Sequence, residues 1–184
     1  MEMSSLGEDL RALRTTRKMT LEELAQKLGR SVGWLSQIER DISTPRLSDL
    51  RQIADIFEVP LSIFFGSADA PNAEKGRIVR SSARRIIGER DAGLVEALVS
   101  PDLTDDFEMI HSTFQPGSSR KNPISRPTQE LAYMISGKLD IWLDDDAFTV
   151  TTGDSFRIRN ASYRWANPYS EPAVAVWVIS PPVY

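Results

Sequence analysis

The sequence has 184 residues, of which 41% are hydrophobic and 26% are charged, and its formal net charge is −4. This length and composition are typical of a globular protein with one domain or two small ones. The absence of cysteine excludes disulfides, zinc fingers and thiolate nucleophiles, and a single histidine, His111, excludes metal sites that need two imidazoles from one chain.

No segment of the sequence predicts secretion or membrane insertion. The first residues, MEMSSLGEDLRALR, contain no apolar stretch of the kind found in signal peptides. The apolar runs VPLSIFF and AVAVWVI fall well short of the roughly 18 residues that a membrane-spanning helix needs. We therefore expect a soluble, cytoplasmic protein.

Residues 1–66 carry hydrophobic residues at helical spacing and predict five short helices joined by tight turns. The helix starts are marked by capping residues and prolines, namely Ser5 with Glu8, Thr20 with Glu23, Ser31, Thr44 before Pro45, and Pro60. We expect Pro60 to open the last of these elements, a short turn over LSIFF (61–65). The first domain is therefore predicted to be a compact all-α domain.

Residues 67–76 are small, polar and interrupted by proline and glycine, which predicts a linker. From residue 77 to residue 184 apolar and polar residues alternate between frequent turn signals, which predicts an all-β sandwich or small barrel. The predicted strands share this alternation and are RIVRS (77–81), FEMIHSTF (107–114), LAYMIS (131–136), KLDIWL (138–143), AFTVTT (147–152), SFRIR (155–159) and PAVAVWVI (172–179).

The predicted helix over residues 31–40 has two chemically different faces. At 100° per residue the face that must be buried comprises Trp34, Leu35 and Ile38. The opposite face has no acidic member and comprises Gly33, Ser36, Gln37 and Arg40. Small, hydrogen-bonding and cationic side chains suit the DNA major groove, where glutamine pairs with adenine and arginine with guanine or phosphate. Gln37 is alternatively an ordinary solvent-exposed residue.

Residues 6–65 resemble the Cro/phage-repressor (Xre) helix-turn-helix family, on the strength of the LSQIER segment (35–40) followed by a proline and an amphipathic helix. The resemblance implies that residues 31–40 form the recognition helix and that residues 20–28 lie across the DNA backbone. It implies base contacts at Val32, Gly33 and Gln37, and a phosphate or minor-groove contact at Arg46. It also pairs Arg14 with Glu39 in an internal salt bridge.

The sequence departs from this family at two places. Val32 and Gly33 stand where phage repressors often carry polar side chains, and Asp41 stands where a glycine is usual after the recognition helix. Aspartate tolerates the left-handed conformation at some cost, so we expect the turn to persist.

The candidate DNA-contacting residues lie on or beside the two central helices and are Arg17, Thr20, Lys27, Arg30, Ser31, Val32, Gly33, Ser36, Gln37, Arg40 and Arg46. The first 66 residues hold nine basic and ten acidic side chains, so the domain is not basic on average. Few phosphates can be neutralised by one copy, and we expect a homodimer on two half-sites about 34 Å apart.

Residues 107–180 are similar to the cupin barrel, a double-stranded β-helix, at positions Gly117, Glu130, Gly137, Gly153-Asp154 and Asn167-Pro168. In metal-binding cupins these motifs carry three histidines and a glutamate. The corresponding positions here are Ile124, Arg126 and Tyr163, while Glu130 is retained and His111 matches no ligand position. The resemblance therefore implies a cupin barrel with no metal cofactor.

The former ligand positions predict an effector pocket formed by Arg126, Glu130, Met134 and Tyr163. Glu130 is suited to bind an amine and Arg126 a carboxylate, so the expected effector is a small metabolite with one of these groups. Two alternatives are that Arg126 and Glu130 neutralise each other as a structural ion pair, and that Met134 belongs to the core.

The two domains together predict a transcriptional regulator that binds double-stranded operator DNA and a small effector and that carries no catalytic residue. One alternative is a metal-dependent cupin enzyme with an accessory helical domain. The other is an antitoxin or adaptor that uses the helical domain for protein contacts.

Overall fold

The computed structural model describes residues 5–59, 61–65, 73–74, 76–88, 91–101 and 103–183. The chain divides into two compact units, one comprising residues up to Arg85 together with Ser100–Asp105, the other comprising Ile86–Val99 with Asp106–Val183. The first unit thus includes residues beyond the predicted helical domain. The linker predicted over residues 67–76 lies mostly outside the described residues.

The first unit contains four α-helices within the described residues. They are α1 (Leu6–Thr16), α2 (Leu21–Lys27), α3 (Val32–Glu39) and α4 (Leu47–Phe57), followed by one 3-10 turn over Leu61–Phe64. The prediction of five helices is therefore wrong. Four residues provide a single turn, which closes with the tighter i to i+3 pattern. Pro60, expected to open a fifth helix, lies outside the described residues.

Local capping signals place three of the helix starts correctly. Ser5 and Thr20 each accept a hydrogen bond from the third residue of their helix, and Glu8 and Glu23 accept the reciprocal bond from the capping residue's amide. The Ser31 hydroxyl caps α3 by accepting from the Trp34 amide at 3.1 Å.

The predicted start of the fourth helix at Thr44-Pro45 is wrong. The helix begins at Leu47, and the N-cap is Arg46, whose amide donates to Asp49 Oδ2 at 3.0 Å. A carboxylate three residues into the helix satisfies this donor, so Thr44 is not needed as a cap. Pro45 is buried instead.

A buried carboxylate organises part of the first unit. Asp9 of α1 lies 2.8 Å from the Arg85 guanidinium and accepts the Leu103 amide at 3.1 Å. Arg85 also donates to the Ile63 carbonyl at 2.9 Å. Side chain and backbone donors thus compensate the burial of Asp9, which the sequence pattern did not predict.

Ten strands are present in the described residues: β1 (Arg85–Gly88), β2 (Leu94–Leu98), β3 (Glu108–Phe114), β4 (Ser119–Ile124), β5 (Gln129–Ser136), β6 (Lys138–Leu143), β7 (Asp146–Thr151), β8 (Ser155–Arg159), β9 (Tyr163–Ala166) and β10 (Ala173–Ser180). They form a six-stranded sheet in the order β1-β2-β3-β10-β5-β8 and a four-stranded sheet in the order β4-β9-β6-β7. The strand predicted at 77–81 is wrong, since residues 77–80 are irregular and Ser81 begins a 3-10 turn.

Strand register sends alternate residues of the six-stranded sheet into the barrel. Along β10 the residues Ala173, Ala175 and Trp177 are buried, and β3 and β5 flank this strand in antiparallel register. Aromatic rings fill the interior, with Phe114 and Trp165 packed edge to face at 4.7 Å between centroids. Among the described residues no helix combines the length and the apolar character that crossing a bilayer demands.

Candidate DNA interface and barrel cavity

The solvent-facing side of α3 is small and polar. Leu35 and Ile38 are fully buried, whereas Gly33, Gln37 and Arg40 are exposed. The same exposed side includes Val32, and Ser36 is half-buried. The structure therefore brings the candidate residues of this helix onto one continuous face without an acidic side chain.

The acidic residue of α3, Glu39, is turned inward and neutralised by Arg14. Arg14 Nε donates to Glu39 Oε1 at 2.6 Å and Nη2 donates to Oε2 at 2.8 Å, while Nη1 donates to the Met19 carbonyl at 2.8 Å. The two side chains are only 12% and 5% exposed. The hydrogen bonds that Arg14 donates to Glu39 raise the pKa of the Arg14 guanidinium, against the opposing effect of burial. This bidentate pair fixes α3 to α1.

Arg30 forms an internal ion pair that holds the turn before α3 against α4. Its Nη2 lies 2.6 Å from Asp49 Oδ1, and its guanidinium lies 5.2 Å from the centre of the Trp34 ring. Burial tends to raise the pKa of Asp49, but the hydrogen bonds from Arg30 and from the Arg46 amide hold that pKa below its usual value. A phosphate contact by Arg30 would compete with this pair, and it stays a prediction.

The remaining candidate cations are spread around α3. Arg17 Nη2 donates to the Phe57 carbonyl at the end of α4, and Arg40 Nε donates to the Ser36 carbonyl. Lys27 and Arg46 are exposed. Thr20 is engaged in its own capping box, where its amide donates to Glu23 and holds the pKa of that carboxyl below its usual value.

Asp41 adopts the left-handed conformation with φ of 55°. Its carboxylate accepts the Gly7 amide at 3.0 Å and the Ser5 hydroxyl. These two bonds compensate the cost of an aspartate where the related repressors use glycine, and the turn after the recognition helix persists as expected.

The barrel interior contains a small cavity between the two sheets. Three of the predicted pocket residues line it, and the full lining is Leu94, Glu96, Ile110, Phe114, Arg120, Arg126, Glu130, Tyr163, Trp165, Trp177 and Ile179. Met134 does not line this cavity. It lies four residues beyond Glu130 on β5, where it is completely buried as part of the core.

The lining includes two charged residues that the sequence analysis missed. Glu96 accepts the Ser112 hydroxyl at 3.1 Å, and Arg120 is paired with Asp91, with Nε 2.7 Å from Oδ2. Both lie on strands that were not predicted, so no pattern pointed to their orientation. The cavity therefore has two carboxylates and two guanidinium groups in its walls.

Glu130 and Arg126 are close without being tightly bonded. Glu130 is 2% exposed and accepts the Thr128 hydroxyl at 2.9 Å, while Arg126 Nη1 lies 3.9 Å from Glu130 Oε1. This separation is longer than a direct hydrogen bond, so the two charges retain bonding capacity for a third group.

The Tyr163 phenol, which also lines the cavity, has a pKa well above its usual value. Burial, and secondarily the Glu130 charge, raise the pKa of Tyr163 from 10.0 to about 12. The folded state thus holds this proton more tightly than the unfolded chain. Its contribution to stability is complete below pH 10 and is lost as the pH rises towards 12.

Tyr163→Phe should make the protein less sensitive to alkaline pH. From the two pKa values, wild type should lose about 1 kcal/mol of unfolding free energy between pH 9 and pH 11 that the variant does not lose. Urea unfolding at the two pH values measures this difference. Tyr133→Phe, at an exposed tyrosine of β5, is the matched control and should behave like wild type. Identical pH profiles for wild type and Tyr163→Phe would contradict the shift.

The cavity has a volume of about 30 Å³, which limits the size of the molecule that it can hold in this conformation. That space accommodates one or two water molecules. A metabolite requires side chains in the wall, such as the half-buried Arg126, to move. Within the described part of the chain, no three His, Cys, Asp or Glu side chains converge as a metal site would require.

Comparison with known proteins matches each unit to a family. Residues 5–62 match the family described as Helix-turn-helix domain, and residues 110–179 match the family described as Cupin domain. The HTH-type transcriptional regulator PuuR of Escherichia coli K12 is 23% identical over 155 residues, covering 83% of this chain and 81% of PuuR. SutR of the same organism, also an HTH-type transcriptional regulator, is 28% identical over 153 residues, covering 83% and 80%.

Among solved structures, an HTH_3 family transcriptional regulator from Vibrio cholerae is 24% identical, covers 96% of this chain and 95% of its own, and superposes with a TM-score of 0.46. The two family matches and the regulators that align with most of the chain agree with the helical and β-rich units described above. The chain thus contains a helix-turn-helix domain followed by a cupin domain, and over most of its length it is similar to HTH-type transcriptional regulators.

Proposed function

We propose that this regulator binds operator DNA sequence-specifically by inserting α3 into the major groove. The observation that carries the proposal is the exposed face of α3, which holds Gly33, Ser36, Gln37 and Arg40 while its single acid is buried against Arg14. This face admits close approach and presents donors and acceptors to base edges.

The charge of the helical domain favours binding as a homodimer. Its nine basic and ten acidic residues leave few cations for phosphates in one copy, and Arg30 is already paired with Asp49. Two copies on half-sites about 34 Å apart double the number of base and phosphate contacts. The exposed cations Lys27, Arg40 and Arg46 are the proposed phosphate or base ligands.

The cupin domain is proposed to bind a small amine or carboxylate without a metal ion. Glu130 and Arg126 face the same cavity at 3.9 Å and supply one charge of each sign. The aromatic wall of Trp165 and Trp177 supplies apolar contact. The effector changes DNA affinity by its differential affinity for two states of the regulator, a coupling of typically 1–3 kcal/mol.

The donor set argues against a metal-dependent cupin enzyme. The retained Glu130 shares its cavity with the Arg120 and Arg126 guanidinium groups, and Tyr163 stands where a histidine ligand would. Because Arg120 and Arg126 balance Glu96 and Glu130, the described cavity walls have no net negative charge to attract a divalent cation, and no histidine is among their residues. Metal analysis of the purified protein tests this, and a stoichiometric transition metal would contradict the proposal.

The DNA-binding proposal is tested by selecting bound duplexes from a random pool with the full-length protein. An enriched palindromic or pseudo-palindromic site is the expected result. Binding with the same salt-dependent affinity to every duplex would instead favour the adaptor alternative.

Gln37→Ala should weaken binding to the selected site by about 1–3 kcal/mol, or roughly 5- to 150-fold, and relax the preference at one base position. Gln52→Ala is the matched control because Gln52 is an exposed glutamine of α4, outside α3. It should bind like wild type. Unchanged affinity and selectivity in Gln37→Ala would show that another residue performs base recognition.

A further inference from the structure

We propose that Val32 and Gly33, in the first turn of α3, together recognise the 5-methyl group of a thymine. This inference rests on the proposed DNA-binding function and names the base that one part of the helix contacts. Two observations support it: the glycine at position 33 and the exposure of the apolar Val32 side chain. The packing of the protein itself explains neither of them.

Gly33 is not required by the fold. A Cβ atom built at this position meets no atom within 4 Å apart from the adjoining residues and the backbone of its own helix, and Gly33 is not among the residues with positive φ. Glycine inside a helix nevertheless weakens that helix relative to alanine. The free protein thus carries an unfavourable residue where alanine would fit, and the space it leaves opens to solvent on the recognition face. Close approach of a partner explains this choice.

Val32 is an exposed apolar side chain beside that space. It is the first residue of α3 and is 38% exposed, while Gly33 follows it and Ser36 lies one turn further on the same side. Neither Val32 nor Gly33 has a polar side-chain atom, so their side chains cannot contribute hydrogen bonds to a phosphate or a base. The side chains of these two residues can therefore make only apolar contacts.

The major groove displays one apolar group on its base edges, the thymine methyl. The amino-terminal residues of a recognition helix are the ones that contact base edges. With no Cβ at position 33, the helix can approach until the Val32 methyl groups reach the thymine methyl. Adenine, guanine and cytosine carry no methyl group on their major-groove edges.

The test is a double-mutant cycle between protein and DNA with the full-length protein. A duplex site is selected from a random pool, and each thymine of a half-site is replaced in turn by uracil, which lacks only the 5-methyl group. Wild type should lose about fourfold in affinity at one thymine, the fold-change that corresponds to one buried methyl group. Val32→Ala should bind the thymine and uracil versions of that site within twofold of each other.

Two further variants separate recognition from structure. Val95→Ala, at a similarly exposed valine of β2, should retain the full uracil penalty. Gly33→Ala should resist urea at least as well as wild type, since the added methyl group meets nothing within the protein, yet bind the selected duplex at least fivefold more weakly. If Gly33 had only a structural role, the Gly33→Ala variant would lose stability and DNA affinity together.

The outcomes distinguish this inference from the function on which it rests. If no duplex is enriched, the proposed DNA-binding function fails. If a site is enriched but uracil is tolerated at every thymine, or Val32→Ala keeps the wild-type penalty, the thymine contact is overturned while the DNA-binding function stands.

Discussion

Arg14→Ala is expected to lower the free energy of unfolding of the helical unit by about 3–5 kcal/mol. The substitution removes both hydrogen bonds to Glu39 and leaves that carboxylate, 5% exposed, without its cationic partner. It also deprives the Met19 carbonyl of a donor. The cost comes mainly from the uncompensated charge of Glu39. In the intact pair, the attraction between the two charges is largely offset by the energy needed to remove both from water.

Urea unfolding followed by far-ultraviolet circular dichroism measures this loss, because the described α-helices all lie in the first unit. Arg80→Ala breaks the pair with Glu74, in which Arg80 is 64% exposed, and should leave the free energy of unfolding close to that of wild type, because solvent screens an exposed pair. Combining Arg14→Met with Glu39→Leu should recover most of the lost stability. A loss below 1 kcal/mol in Arg14→Ala would contradict the role assigned to this pair.

Sequence patterns predicted the features of this protein that depend on neighbouring residues. The capping boxes at Ser5 and Thr20 and the cap at Ser31 are satisfied within three residues, so local chemistry determines them. The two faces of α3 follow from helical periodicity in the same way. The start of α4 was missed because Asp49, and not the hydroxyl of Thr44, satisfies the amide before the helix.

Features that depend on distant partners were not predictable in this way. Strand β4, with the sequence SRKNPI, has no hydrophobic alternation and exists because it pairs with β9. RIVRS alternates but forms no strand, since alternation alone supplies no neighbouring strand. The burial of Asp9 depends on Arg85 and Leu103, which are 76 and 94 positions away along the chain.

The barrel cavity, too, was predictable from the sequence only in part. Resemblance to the cupin motifs identified Arg126, Glu130 and Tyr163, and in the structure all three line the same cavity. The size of the cavity was not predictable, because it depends on how tightly the aromatic rings of the two sheets pack. The volume of about 30 Å³ means that effector binding must be accompanied by movement of the wall.

Gly137→Ala is expected to destabilise the cupin domain by about 2–5 kcal/mol. Gly137 has φ of 79°, and a Cβ atom there would lie 2.5 Å from the Pro172 carbonyl oxygen and 2.7 Å from the Ala173 Cα. The left-handed conformation costs alanine about 1–2 kcal/mol, and the backbone collision adds a further 1–3 kcal/mol because β10 must shift. The cupin motif thus requires glycine at this position for two separate reasons.

Gly153→Ala separates these two costs. Gly153 has φ of 92° but a Cβ atom there meets nothing within 4 Å, so this variant should lose only the conformational part, about 1–2 kcal/mol. Tryptophan fluorescence during urea unfolding measures both losses, since Trp142, Trp165 and Trp177 lie in the second unit. Equal losses in the two variants would show that the strand beginning at Ala173 moves aside without cost. A larger loss in Gly137→Ala assigns the difference to the close packing of the β5–β6 turn against the start of β10.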